Sequence, residues 1–459
     1  MSALFADFTK EMKEKHCAVI GMGVSNIPLI RLLLSSGADV LICDRKEEHE
    51  AEVVEEFRAQ GAEFSFGEEY LSALDDVDVI FKTPGMRYDV PELLAAEKRG
   101  CVVTTEMEKF LSLCPCVSIG ITGSDGKTTT TTIVGELLRQ SGKRAFVGGN
   151  IGTPLLADTD KMTADDFAVV ELSSFQLMNI KHGTDISVIT NITPNHLDMH
   201  KSMEEYTEAK KQIYKTSKGK VVLNFDNAVT RSIAEELGER AVLFSSKEIL
   251  NDGYCVEDGF IVFRKNGKSE KILAVSDMKI PGMHNVENYM AAIAATSDFV
   301  SVEDIRTVAR EFGGVEHRME LVRELSGVKY YNDSIASSPT RTIAGLRAFN
   351  QKVILIAGGY DKKIPFDELG PAVLQYVKTL VLVGATAEKI RAAVESTPGY
   401  DAEKLPVIMC TSFEEAVKAA SENAECGDIV TLSPACASFD MFKNFMLRGK
   451  RFKELVNAL

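Results

Sequence analysis

Residues 116–128 read CVSIGITGSDGKT. The apolar run Cys116–Ile121 has the length and branching of a buried strand, and a helical pattern follows over Thr129–Gln140. Between them lies a turn of Gly123, Ser124, Asp125 and Gly126, with Lys127 and Thr128 at the helix entrance. Backbone N–H groups in such a turn, backed by a helix N-terminus, surround phosphate oxygens. Lys127 would neutralise β/γ-phosphates and Thr128 would offer its hydroxyl to Mg²⁺, with Thr129 next in the ATP-binding run. The glycines fall at 120, 123 and 126, so the usual phosphate-loop spacing is not met, although TGSDGKT keeps its physical parts. A glycine turn that binds nothing is the competing reading.

Outward from this unit the same strand-then-helix rhythm runs through the chain, which predicts α/β architecture with parallel sheets. Toward the N-terminus, strands read at Cys17–Ile20, Asp39–Cys43 and Val77–Lys82, with a helix over Ile27–Ser35. Toward the C-terminus they read at Phe167–Glu171, Ser187–Asn191 and Lys220–Asn224. Over 242–281 short β-type runs are separated by Asn-Asp-Gly, Glu-Asp-Gly and Lys-Asn-Gly, which predicts a small antiparallel patch. A helix over Val286–Ser297 follows. After Gly313-Gly314 the rhythm restarts, with strands at Val328–Asn332, Lys352–Ala357, Thr379–Val383, Pro406–Met409 and Asp428–Leu432 and helices at Ala387–Glu395 and Phe413–Glu422. Three domains are expected: 1–105, 106–314 and 315–459, the outer two Rossmann-like and the central one a phosphate-loop ATPase type.

Composition narrows the function. The 459 residues carry 52 Lys plus Arg against 67 Asp plus Glu, a net charge of −15, which argues against a nucleic-acid partner. No stretch approaches the ~18 apolar residues of a membrane span. The start, MSALFADFTKEMKEKH, lacks the apolar segment of a secretory signal. The nine cysteines include no CxxC pair, and a reducing, cytoplasmic setting is expected. Cys114-Pro115-Cys116 reads as buried free thiols rather than a redox or metal pair.

Other candidate groups stand around the phosphate loop. Gly21-Met22-Gly23-Val24-Ser25-Asn26 follows the first strand, and Asp44 ends the second. That spacing is close to a dinucleotide fingerprint, but Asn26 replaces its third glycine; the turn could instead hold another diphosphate, such as that of a UDP-sugar. Glu171 ends an apolar strand, where the carboxyl ends of a parallel sheet face the ligand crevice, and could bind Mg²⁺. His196 and His200 have the i, i+4 spacing of a zinc pair but lack a third strong ligand. His196 reads as a single ligand or substrate contact and His200 as a surface residue. Lys210 reads by itself as a solvated helix lysine.

Several segments then occur in one order: GITGSDGKTT, GGNIGTP, ELSSFQL, NITPNHLDMH, YTEAKKQIY, GMHNVENYMAA, HRMELV, NDSIASSPT and SPACASFDMFKNF. Together they resemble the Mur ligases, the ATP-dependent amino-acid-adding enzymes of peptidoglycan synthesis, over nearly the whole chain. The resemblance implies that the first domain binds a UDP-sugar, the second ATP, and that the third completes the ATP site and binds an amino acid. The activity it implies is addition of D-glutamate to UDP-N-acetylmuramoyl-L-alanine through an acyl phosphate. The cofactors it implies are ATP and two Mg²⁺ ions, one held by Thr128 and Glu171 and one by His196 and a carbamylated Lys210. Asn150 is expected near the acceptor carboxylate, Asn285 and Asn288 near adenine, Arg318 near the phosphates and Asp333 near the ribose. Val24, Ser25, Asp44, Arg45 and the turn Thr83-Pro84-Gly85 are expected to touch the UDP portion, and Lys362, Ser438 and Phe445 the D-glutamate. A cytoplasmic monomer is expected.

Two departures accompany the resemblance. Ile335 and Ser337 stand where many relatives carry Lys and Thr, and Arg341 or Lys363 is the candidate replacement for the missing cation. The competing functions are an L-alanine-adding relative, a nicotinamide oxidoreductase built on Gly21–Asn26, and a non-catalytic nucleotide-regulated binding protein.

Overall fold

Strand burial organises the N-terminal region. In the computed structural model, which describes residues 3–23, 25–178, 180–194, 200–362 and 364–459, five parallel strands run in the order Glu63–Phe66, Asp39–Asp44, His16–Ile20, Val79–Phe81, Val102–Thr104. Along His16–Ile20, Cys17 and Val19 pack into one apolar cluster and Ala18 and Ile20 into another, so both faces are covered. That two-sided burial is why these strands read as continuous apolar runs rather than alternating ones.

The central sheet has nine strands, in the order Lys268–Ala274, Phe260–Lys265, Gly253–Glu257, Ala241–Ser245, Val221–Asn224, Ile186–Ile189, Val117–Thr122, Phe167–Glu171, Ala145–Gly149. The antiparallel patch expected over 242–281 is confined to 253–274, because Ala241–Ser245 pairs parallel with Val221–Asn224. Its two tight turns place Asp258 at φ 49°, Gly259 at 77°, Asn266 at 51° and Gly267 at 75°. Both central residues of each turn are left-handed, the geometry whose twist matches a hairpin. The expected helix over Val286–Ser297 begins three residues earlier and spans Met283–Thr296.

The third sheet runs Glu320–Leu325, Val328–Asn332, Ile429–Leu432, Val353–Ala357, Val377–Leu382, Val407–Met409, with only the first pair antiparallel. The chain divides into two compact units, Met1–Glu311 and Phe312–Leu459. Within the first unit one apolar cluster includes Phe5, Val19 and Phe81 of the first sheet's layer, Met107 and Phe110 of the helix Glu106–Leu113, and Ala168 and Val170 of the central sheet. Four strands escaped the sequence reading: Glu63–Phe66, Val102–Thr104, Ala145–Gly149 and Glu320–Leu325. All four lie at sheet edges. All nine cysteines are free, and the Cys114 and Cys116 sulfurs lie 3.6 Å apart.

The second unit is locked by a buried arginine. Arg448, with no exposed surface, donates from Nε to Ser334 Oγ (3.0 Å), from Nη1 to the Ala437 carbonyl (3.1 Å), and from Nη2 to the carbonyls of Ser334 (2.9 Å) and Cys436 (3.0 Å). No carboxylate takes part in these bonds; burial lowers its pKa to about 10. The guanidinium fork thus pins the loops at 334 and 436–437 to the helix Phe445–Ala458. Arg448→Met should destabilise this unit by about 3 kcal/mol, since buried carbonyls lose their donors. The check is a lower urea midpoint by far-UV dichroism. Arg448→Lys should not rescue it, because an ammonium cannot reproduce the planar fork.

Candidate active site

The phosphate loop joins the strand Val117–Thr122 to the helix Lys127–Gln140. Gly123 has φ 151° and Gly126 φ 79°; a β-carbon would overlap the Thr190 hydroxyl at the first and the Asn288 side-chain oxygen at the second. The loop is stitched to the next strand's exit. The Ser124 N–H donates to the Asn191 carbonyl (2.9 Å), its hydroxyl to the Thr193 carbonyl (2.9 Å), and the Asp125 N–H to Asn191 Oδ1 (3.0 Å). Lys127 folds back over the turn and donates to the carbonyls of Gly123 and Ser124, both at 2.9 Å. Thr128 and Thr129 are half-buried in the first helical turn. Asn288 is buried with its Oδ1 3.3 Å from the Thr130 hydroxyl, and its amide donates to Asn285 Oδ1 (3.2 Å), so the two expected adenine-side residues are neighbours beside the loop.

Beside the loop stands Glu171, only 1% exposed at the end of its strand. One carboxylate oxygen accepts from Asn150 Nδ2 (2.8 Å), and the Asn150 N–H donates to the Glu171 carbonyl (2.8 Å). This approach explains the second glycine of GGNIGTP: Gly149 has φ 103°, and a β-carbon there would collide with that same carbonyl. The second carboxylate oxygen, Oε2, is buried without a hydrogen-bond partner among the described residues. A buried anionic oxygen left this way is costly and suits a cation.

Lys210 corrects the reading of it as a solvated residue: it is 1% exposed. Its ammonium donates to the Gly123 carbonyl (2.8 Å) and Thr122 Oγ1 (3.3 Å) and lies 4.6 Å from the Tyr206 ring centroid. Burial first, and then the charge of Lys127, bring its pKa down to about 6. His200 is likewise not a surface residue. It is 2% exposed, stacks on Phe175, and its Nε2 is 2.9 Å from the Ser174 hydroxyl. His196 lies outside the described residues, as does Val24.

In the first sheet, Asn26 does the bracing that a third glycine would not: its amide donates to the carbonyls of Ile20 and Gly21, both at 2.9 Å. Asp44 uses both oxygens on backbone, accepting from the N–H groups of Met22 (2.7 Å) and Lys46 (2.9 Å). Arg45 is exposed, with Glu68 at 3.7 Å. Thr83 packs on the glycine turn, 3.2 Å from where a Gly21 β-carbon would stand, and Gly85 is unobstructed. Ser25 and Pro84 line one small cavity with Glu106, Gly149 and Gln176. Two of these escaped the sequence reading. Glu106 is a buried acid whose carboxyl burial pushes up to about 7, with Oε1 accepting from the Leu156 N–H (2.8 Å). Gln176 sits in the quoted ELSSFQL segment and forms a capping box with Ser173.

In the second unit, Arg318 is exposed between His317 (φ 64°) and Met319 (φ 48°). Asp333 is buried and accepts from Ser433 Oγ (2.8 Å) and the Met319 N–H (3.3 Å); burial pushes its carboxyl up to about 7. Ser438 is buried, and Phe445 begins its helix with its ring 6.0 Å from and perpendicular to His317. Lys362 is exposed two residues past Tyr360, whose N–H donates to the Ala437 carbonyl (2.9 Å). At the departure noted in the sequence, the Ile335 N–H donates to the His317 carbonyl (3.1 Å), and Arg341 Nη1 reaches the Ile335 carbonyl (3.4 Å). Lys363 is outside the described residues.

Three family profiles match the chain in succession: the Mur ligase MurD-like N-terminal domain over 15–105, the Mur ligase middle domain over 121–296, and the Mur ligase glutamate ligase domain over 317–436. The chain is 51% identical over 464 residues to a UDP-N-acetylmuramoylalanine–D-glutamate ligase of Acetivibrio thermocellus, with 100% of both chains covered. It is 50% identical over 463 residues to one of Clostridium kluyveri, again with 100% of both. Among solved structures it is similar to a UDP-N-acetylmuramate–alanine ligase from Thermotoga maritima, with TM-score 0.58, 20% identity and coverage of 97% of this chain and 100% of that one. That last likeness is one of fold.

The Lys210 environment has a measurable signature. In the unfolded chain its amine protonates below the ordinary 10.5, whereas in the folded chain it stays neutral down to about 6. Between those values the unfolded state binds more protons, so the folded state loses stability as pH falls. Lys210→Met removes that dependence. Its stability relative to wild type should therefore rise as pH is lowered from 9.5 to 6.5, by urea unfolding in chelator and bicarbonate-free buffer. A pH-independent difference would contradict the burial argument.

Proposed function

The chain belongs to the Mur ligase family, and from that premise we propose that it joins D-glutamate to UDP-N-acetylmuramoyl-L-alanine in peptidoglycan synthesis, consuming ATP. The observation that carries the substrate assignment is identity of 50–51% along the full length to relatives bearing that activity in their names. Residues 1–105 would hold the UDP-sugar, 106–314 ATP, and 315–459 the amino acid. The free thiols agree with a cytoplasmic setting, and no described helix is long and apolar enough to cross a membrane. We assign a monomer.

The reaction begins with two anions. A carboxylate oxygen of the UDP-linked substrate attacks the γ-phosphorus, and ADP departs. The amine of D-glutamate then attacks the acyl carbon, losing a proton, and phosphate leaves with the acyl oxygen. The repulsion in the first step is offset by cations held in a low-dielectric cleft. Lys127, following the loop of Gly123, Ser124, Asp125 and Gly126, would leave the Gly123 and Ser124 carbonyls to meet the transferring phosphoryl group. Thr128 and Glu171 would hold one Mg²⁺ and His196 and a carbamylated Lys210 a second, and bound there the ions would offset phosphate charge. The partnerless oxygen of Glu171 supports its part in this. Asn150 orients Glu171 and would stand near the acceptor carboxylate. Thr129, Asn285, Asn288, Arg318 and Asp333 complete the nucleotide contacts. Val24, Ser25, Asp44, Arg45, Thr83, Pro84 and Gly85 receive the UDP portion; Asp44 does so through the turn it shapes. Lys362, Ser438 and Phe445 receive D-glutamate.

Carbamylation requires a neutral amine, whose nitrogen bonds to CO₂ with release of one proton. A lysine at its usual pKa of ~10.4 is almost entirely charged at pH 7; Lys210, brought down to about 6, is mostly neutral there.

Phosphate release with ATP and UDP-N-acetylmuramoyl-L-alanine should depend on D-glutamate and not respond to L-glutamate or L-alanine. Turnover with L-alanine on UDP-N-acetylmuramate would instead assign the alanine-adding relative, and no amino-acid-dependent ADP formation would favour a binding protein. Lys127→Ala should lower kcat by ~10²–10³, the usual cost of one transition-state electrostatic donor. Near-wild-type turnover would remove the loop from catalysis.

A further inference from the structure

Arg87 follows the Thr83-Pro84-Gly85 turn by two residues and faces two carboxylates. Its Nε and Nη2 donate to the two oxygens of Asp89 (2.8 and 3.0 Å), and Nη2 also donates to Glu205 Oε1 (2.9 Å), with Nη1 3.4 Å from Glu205 Oε2. Lys201 Nζ donates to Asp89 Oδ2 (2.7 Å), so two cations and two anions alternate in a chain from Lys201 to Glu205. Isolated surface ion pairs contribute little. This one differs because it is bidentate, shared, and 22–29% exposed at Arg87, Asp89 and Glu205.

The network joins two elements of the same compact unit that the proposed reaction must bring together. On one side, the turn is closed by the Met86 N–H donating to the Thr83 carbonyl (3.1 Å) and anchored by buried Lys82, whose ammonium donates to the Met86 carbonyl (2.9 Å). On the other, Glu205 orders the start of the helix Met203–Lys215. Its Oε2 accepts from the Lys201 N–H (2.6 Å) and lies 3.7 Å from His200 Nδ1, while its own N–H is capped by Ser202 Oγ (3.2 Å). That helix carries Tyr206, whose hydroxyl is 3.0 Å from Ser124 Oγ in the phosphate loop, and Lys210, which donates to the Gly123 carbonyl.

We propose that Arg87 is a positioning residue: through Glu205 it fixes the helix bearing Tyr206 and Lys210 relative to the turn Thr83-Pro84-Gly85, so that the sugar-side turn and the phosphate loop are held in one register. The kinetic part rests on the function proposed above.

The test is a cycle of Arg87→Met, Glu205→Gln and the double variant; Glu205→Gln removes the charge but keeps an acceptor for the Lys201 N–H. Each single variant should lower kcat about tenfold, and the double should be no worse than the poorer single, because coupled residues are not additive. Affinity for UDP-N-acetylmuramoyl-L-alanine without ATP, by calorimetry, should stay within about threefold of wild type. Multiplicative losses in the double, or a loss confined to that affinity with kcat unchanged, would overturn the proposal. Amide exchange over 200–210 reads the same link without turnover: Arg87→Met should speed it, and unchanged exchange would overturn the positioning role even if the substrate assignment failed. Should Arg87→Met not fold, Arg87→Lys, which keeps one charge but not the fork, should give the same pattern at smaller amplitude.

Discussion

One backbone carbonyl receives two lysines. Gly123 O accepts from Lys127 at 2.9 Å and from Lys210 at 2.8 Å. Two ammonium groups on one acceptor in a buried setting repel, and the buried one gives up its proton affinity first. The surroundings serve that convergence. Gly123 must have φ 151° to present the carbonyl, Thr190 must fit where a β-carbon would be, and Glu171 must stand alongside with an oxygen uncommitted. Asp125 and Glu171 oppose part of that repulsion by favouring the charged amine. A polyphosphate would relieve it by drawing Lys127 off the loop, leaving Lys210 the shorter contact.

This also explains why the site was only partly legible. The phosphate loop could be read because glycine, lysine and threonine at a strand–helix junction have local meaning. Glu171 could be read because it ends an apolar run. Lys210 could not, since helix periodicity places it on a face without saying that the face is covered by the loop 87 residues earlier. His200 misled for the same reason: spacing to His196 suggested a metal pair and then a surface position, while burial between Phe175 and Tyr206 is a tertiary fact. Arg448 is the extreme case, an exposed-type residue with no carboxylate in its hydrogen-bond set. Asp44 shows the reverse error of emphasis. Its spacing from Gly21 matched a ligand-binding pattern, and its two oxygens also accept backbone N–H groups, one from Met22 in the glycine turn and one from Lys46 just beyond its own strand.

For the fold, every interior strand was legible and the four missed strands are all edges, although one edge, Val407–Met409, was read. Phe167–Glu171 was read to the residue because both faces of a parallel interior strand are apolar. Glu63–Phe66 and Glu320–Leu325 mix charge with apolar residues, and Ala145–Gly149 ends in two glycines, one forced by the Thr153 carbonyl and Leu155 and one by the Glu171 carbonyl.

The charged edges have a consequence for the protein in a crowded solution. An edge strand exposes unpaired N–H and C=O groups that a second chain can extend. The central sheet ends on Lys268–Ala274, with Lys268, Glu270 and Lys271 along it, and the third on Glu320–Leu325, with Arg323 and Glu324. A chain docking there would bury these side chains against its own. The charges that blurred Glu320–Leu325 in the sequence thus also hinder these two edges from adding a neighbour's strand, and replacing them with valine or isoleucine would sharpen the pattern while inviting fibrous association.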